Sequence, residues 1–190
     1  MTVPEVVGVN LNNNLNEGIT STDLVLHITK LLRANKVVGS FIEFFGDGVE
    51  NLTVGDRATI SNMAPEYGAT NVLFPVDNST IEYLKMTGRT DEEISIVEDY
   101  SKKQKLWRNP GDTPKYNRVL NLDLSSIVPC VSGPKNPEDK INLDQFSNLA
   151  NEHSQLLYKK DLRENEFEVP NLGFKIKDAD IMIAAITSCT

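Results

Sequence analysis

The chain reads as an α/β protein, with a largely parallel sheet flanked by helices and a partial second α/β domain after it. Three observations predict this. Short β-branched or aromatic runs alternate with stretches of helical periodicity. One of them, KVVGSFIEFF at 36–45, is the continuous apolar run expected of a strand covered on both faces. Glycines and capping residues mark most of the transitions.

Taken in order, residues 5–18, EVVGVNLNNNLNEG, read as a strand, an Asn-rich turn and a second short strand. Ser21 or Thr22 is suited to cap a helix running to about Asn35, with Leu24, Ile28, Leu31 and Leu32 on one face. The apolar strand at 36–45 ends at Gly46 and Gly48. A helix then starts near Thr53 with Asp56 in its first turn, and Pro65 kinks or stops it around Ala64. VLF at 72–74 is a further strand, and Asn78 or Ser79 caps a helix that closes at Gly88. Thr90-Asp91-Glu92-Glu93 forms a capping box for a helix carrying Ile94, Val97, Tyr100 and Leu106.

WRNPGDTPKY at 107–116 is a loop, and VLNLDL, ending at Leu124, alternates as a strand. Residues 125–142 are loop-like, with Pro129, Gly133, Pro134 and Pro137. A domain boundary is therefore expected near 125–130, giving units 1–124 and 125–190. In the second unit a helix over 144–160 turns Phe146, Leu149, Ala150, Leu156 and Leu157 inward, and DIMIAAI at 180–186 is a buried strand.

Composition sets further bounds. Of 190 residues, 19 are Lys or Arg and 27 are Asp or Glu, a formal net charge of -8. An acidic chain without a basic run offers no footprint for nucleic acid or an anionic membrane surface. No apolar stretch is long enough to span a bilayer, and MTVPEVVG lacks the pattern of a secretory signal, so a cytoplasmic location is expected. Cys130 and Cys189 are too few for a disulfide framework or a four-cysteine metal site within one copy, and a reducing compartment suits them.

Two groups of residues are able to carry chemistry. Asn62 and Glu66 are four apart and share a face on a helix. An amide and a carboxylate aimed into one cavity can donate to and accept from a substrate hydroxyl. On residue types alone, a solvated helix end is the commoner meaning of such a pair. Cys189 follows the DIMIAAI strand, where ligands collect in open α/β sheets, although a strand-end cysteine is usually a small buried side chain. His27 and His153 border or fall on apolar helix stripes with no Cys or His at ligand spacing, and read as packing residues. FFGDGVE lacks the third glycine and the Gly-Lys-Ser/Thr of a phosphate loop.

The stretch FIEFFGDGVENLTVGDRATISNMAPEYGAT at 41–70, with LWRNPGD and the final IAAITSCT, resembles the aconitase family of iron–sulfur hydro-lyases. The likeness is greatest to the branch shared by the bacterial A-type enzymes and the iron regulatory proteins. It implies an aconitase-type layered fold and interconversion of citrate and isocitrate through cis-aconitate, a tricarboxylic acid cycle reaction. It also implies that Asn62 and Glu66 line the substrate site, and that Cys189 is the first of three ligands to a [4Fe–4S] cluster whose open iron acts as a Lewis acid. The family's C-x-x-C pair, its Asp/His-rich segments and its substrate-binding arginines have no counterpart here. The chain is thus expected to be an internal fragment, spanning the second domain and the start of the third. Alone, it is expected to be inactive and to bind no cluster.

Three other readings stand beside this one. A fragment of 2-methylisocitrate dehydratase is favoured by GDRATISNM, whereas APEYGAT and WRNPGD favour aconitase. RNA-binding regulation is a second, to which the acidic composition lends no support, and a stand-alone scaffold domain is the third.

Overall fold

Val7, Val9 and Leu11 alternate with Gly8, Asn10 and Asn12, and this period-two pattern forms β1 (Val6–Asn12) with its apolar side chains fully buried. The computed structural model describes residues 3–159, 166–178 and 180–184, and divides into two compact units, Met1–Leu143 and Asp144–Thr190. In the first unit, β1 lies inside a four-stranded sheet of order β3-β2-β1-β4, with β2 (Phe41–Phe45), β3 (Asn71–Leu73) and β4 (Arg118–Asp123). Every pairing is parallel, and Val9 stands opposite both Phe44 and Leu120.

α1 (Ser21–Ala34) packs Leu24, Ile28 and Leu32 into the core formed with that face of the sheet. Its cap is Thr20, one residue before the predicted Ser21 or Thr22. The Asp23 N–H donates to the Thr20 hydroxyl at 3.2 Å, and the Thr20 N–H donates to the Asp23 carboxylate at 2.9 Å. Thr53 and Asp56 repeat this box at the start of α2 (Val54–Asn62), where the sequence predicted the helix start but not the box. α3 (Ala64–Tyr67) follows, with Pro65 in its first turn. Asp77, again one residue early, caps α4 (Asn78–Met86), and the predicted Thr90 box opens α5 (Asp91–Lys103).

A buried ion pair joins two of these elements. Arg57 of α2 donates to both carboxylate oxygens of Asp77, at 2.9 and 2.6 Å, and to the carbonyls of Leu52 and Val49. The fork satisfies its donors in the interior, which makes burying the charge tolerable.

Three sequence expectations are corrected in this unit. The second strand foreseen before Gly18 is a loop: Asn13 takes a positive φ, and Asn13 and Asn16 donate to Asp123 and to the Ser125 carbonyl. β2 is shorter than the apolar run and is fully covered on one face only. Ile42 and Phe44 are buried there, while Phe41, Glu43 and Phe45 on the other face are half-buried. Gly39, with φ 80°, turns the chain just before this strand begins. The Pro-rich stretch after 125 contains a hairpin, β5 (Cys130–Ser132) with β6 (Lys140–Asn142). The hairpin is fixed to α1, because the Cys130 N–H donates to Asp23 Oδ1 at 2.8 Å and Lys30 donates to the Lys140 carbonyl. The first unit therefore runs on through it to Leu143.

The second unit holds α6 (Phe146–Tyr158) and an antiparallel hairpin of β7 (Glu166–Glu168) and β8 (Lys175–Lys177). None of its described residues is buried. Phe146 and Leu156, expected to face inward, are exposed, while Leu149 and Ala150 are half-buried. The described part of DIMIAAI is not a strand, and Ile181 and Ile183 are 87% and 93% exposed. An apolar run becomes a buried strand only where a ladder partner exists, and among the described residues it has none.

Candidate functional site

Pro65 decides the geometry around Asn62 and Glu66. Without an N–H it cannot continue α2, so that helix closes at Asn62 with Met63 as its cap, and α3 begins one residue later. Asn62 is therefore the exposed last residue of one helix, and Glu66 sits in the single turn that follows. The Glu66 N–H donates to the Met63 carbonyl at 3.1 Å, and Gly68, at φ 80°, closes the turn in the left-handed region.

Glu66 is anchored through its backbone and keeps a side-chain oxygen in reserve. The Arg33 guanidinium donates from Nε to the Glu66 carbonyl at 2.7 Å and lies 3.6 Å from Glu138. Glu66 Oε2 is buried and accepts no hydrogen bond. A buried carboxylate oxygen left without a donor is costly, which marks the position as one that takes a partner. Next to it, Tyr67 is fully buried and donates from its hydroxyl to the Ile60 carbonyl at 2.9 Å. Burial, aided by the negative charge of Glu66, raises the Tyr67 phenol far above its ordinary value.

Cys189 lies outside the described residues. Among the described residues no group of three or more His, Cys, Asp and Glu side chains is placed to hold a metal ion. His153 is half-buried on α6.

Sequence reading missed one association. His27 and Cys130, far apart in the chain, meet where β5 rests on α1, with Cys130 Sγ 3.7 Å from His27 Nδ1. The same Nδ1 lies 2.8 Å from the Asp23 carbonyl, and Lys140 Nζ lies 2.8 Å from Nε2. Nδ1 thus carries the ring proton while Nε2 accepts from the ammonium. Burial lowers His27, and the Lys140 charge adds to this against the pull of the Asp23 carbonyl. Burial raises the Cys130 thiol, so it stays protonated. No local spacing signals this cluster, because the hairpin that delivers Cys130 comes from a Pro-rich stretch.

Comparison with known proteins agrees with the resemblance noted in the sequence. The profile described as Aconitase family (aconitate hydratase) matches residues 1–190. The chain is 50% identical over 191 residues to aconitate hydratase A of Rickettsia typhi, covering all of this chain and 22% of that protein. It is 48% identical over 191 residues to aconitate hydratase A of Legionella pneumophila, covering all of this chain and 21% of that protein. The corresponding protein of Escherichia coli is 43% identical over 193 residues, with 22% of it covered. The chain thus spans about a fifth of the length of these curated relatives.

Proposed function

Because this chain belongs to the aconitase family, we propose that it supplies Asn62 and Glu66 to the substrate site of an aconitate hydratase that interconverts citrate and isocitrate. The observation that supports the assignment is the buried, unpartnered Oε2 of Glu66, one short turn beyond the exposed Asn62. The four-stranded parallel sheet and its helices are consistent with an aconitase-type domain. In this reading, residues 1–124 derive from the family's second domain and 125–190 from the start of the third.

Each side chain has a defined task. The Glu66 carboxyl passes a proton to the substrate hydroxyl as that group leaves as water, and takes it back from the attacking water on rehydration, while the base for the carbon-bound proton lies elsewhere in the family's longer chains. The Asn62 amide donates to a neighbouring substrate carboxylate oxygen and fixes how the hydroxyl faces Glu66. Cys189 is proposed as one of three thiolate ligands to a [4Fe–4S] cluster, the Lewis acid of the family's chemistry. The described residues offer no other ligand set for it, so no step is assigned to the cluster here. Tricarboxylate turnover by the 190 residues alone is not expected, since most of the groups that position it lie elsewhere in the family's longer chains. No helix among the described residues is long and apolar enough to cross a membrane, and a cytoplasmic enzyme of the tricarboxylic acid cycle is the reading we favour.

The test is a graft. This chain replaces the matching stretch of the Escherichia coli relative, and hydration of cis-aconitate is measured. The graft is expected to be active. Glu66→Gln within it should lower kcat by roughly 10²–10⁴-fold, the usual contribution of a positioned acid–base group, with iron and sulfide content unchanged. An active graft indifferent to Glu66→Gln would remove Glu66 from the site.

A further inference from the structure

The first unit contains a cavity of about 370 Å³ that neither Asn62 nor Glu66 lines. Its volume falls in the range of small-molecule sites, roughly 300–1,000 Å³. It opens over the sheet face that the core helices leave uncovered, where Asn10, Glu43 and Phe45 project from β1 and β2. The loop carrying Trp107, Arg108 and Tyr116 forms its other wall.

Gly8 makes this wall possible. A Cβ at that position would lie 2.2 Å from a ring carbon of Tyr116, so only glycine lets the phenol lie flat against the strand. Thus placed, Tyr116 packs against Phe45 with ring centroids 5.0 Å apart. Its hydroxyl is buried near Glu43 but makes no hydrogen bond of regular geometry.

The charges of the cavity are unevenly used. Arg108 is engaged by two carboxylates, Asp47 at 3.2 Å and Glu50 at 2.5 Å, and its side chain is 8% exposed. Lys102, 4.8 Å from the centre of the Trp107 ring, is paired with Glu98 at 2.5 Å. Lys105 also lines the cavity, yet among the described residues neither it nor any other cation makes an ion pair with Glu43. Burial accordingly raises the Glu43 carboxyl, with Tyr116 opposing in part. What remains is a carboxylate, a phenol and an Asn10 amide oxygen in a pocket with aromatic walls.

We propose that this cavity binds a small organic cation of the guanidinium class. A planar cation can pair in bidentate fashion with Glu43, donate to the Tyr116 and Asn10 oxygens, and lie against aromatic rings. This site is separate from Asn62 and Glu66 and does not depend on the hydro-lyase assignment. The unpaired carboxylate of Glu43 disfavours an anionic ligand.

Trp107 is the single tryptophan of the chain and lines the cavity, so its fluorescence reports occupancy directly. The intact chain is titrated with butylguanidinium at low millimolar concentration, with butylurea as the neutral isostere, and with an acetylated Gly-Arg-Gly amide. A saturable response to butylguanidinium at least tenfold tighter than to butylurea, and at least tenfold weaker in Glu43→Gln, is expected. Tighter binding of the peptide would identify a polypeptide arginine as the ligand, and weaker binding a free cation. Equal binding of the urea, no saturable response, or unchanged affinity in Glu43→Gln would overturn the proposal. The urea comparison needs no variant, so it stands even if Glu43→Gln fails to fold.

Discussion

The two compact units have the same kind of local sequence and opposite interiors. In the first, the apolar residues of α1 share a core with those of β1 and β2, and Leu24, Ile28, Leu32, Val9 and Phe44 are excluded from water. In the second, α6 carries an apolar stripe of similar quality, but no described residue is buried. Periodicity therefore reports a face that is able to pack, and a core requires a second face within reach. Asn62 and Glu66 both belong to the unit that has one.

The largest effect is expected at the buried ion pair. Arg57→Ala leaves Asp77 charged and unpaired in the interior, and urea unfolding of the first unit should show a loss of about 3–5 kcal/mol. A matched pair of truncations then sets the units against each other. Leu32→Ala should cost about 2–5 kcal/mol, whereas Leu156→Ala, at a side chain 79% exposed, should stay within about 0.5 kcal/mol in the same assay. Equal costs would erase the distinction. Thr53→Ala removes one half of a capping box and should lower stability by about 1 kcal/mol, recovered in large part by Thr53→Ser.

The smallest effect is a pH dependence confined to the first unit. Burial holds the folded His27 below its ordinary value of 6.5, so the unfolded chain binds more protons between the folded value and 6.5. Stability is full above 6.5 and declines as pH falls through that window. His27→Gln should flatten this part of the curve, and a slope that survives the substitution would assign it to another group.

What was legible in the sequence follows the same division. The helices of the first unit, its parallel strands, the capping box at Thr90 and the cap at Thr53 were readable, because each is a local pattern that the tertiary structure reinforces. The caps at Thr20 and Asp77 were each missed by one residue, since adjacent Thr, Ser, Asp and Asn compete on nearly equal terms. β5–β6 was hidden by prolines, and its anchor, Asp23, is itself half of a capping box. The break at Pro65 between Asn62 and Glu66 was visible. The unsatisfied oxygen of Glu66 was not, because it depends on what surrounds α3. DIMIAAI misled because its composition is that of a buried strand and the partner it would need is not among the described residues.

Hydrogen exchange on the intact chain tests this division most directly. Amides of β1, β2, β4 and α1 should exchange only through global unfolding, while those of α6 and the β7–β8 hairpin should exchange orders of magnitude faster. Arg57→Ala should accelerate the first group and leave the second unchanged. Protection of α6 equal to that of α1, lost together in Arg57→Ala, would show one cooperative core and contradict the account.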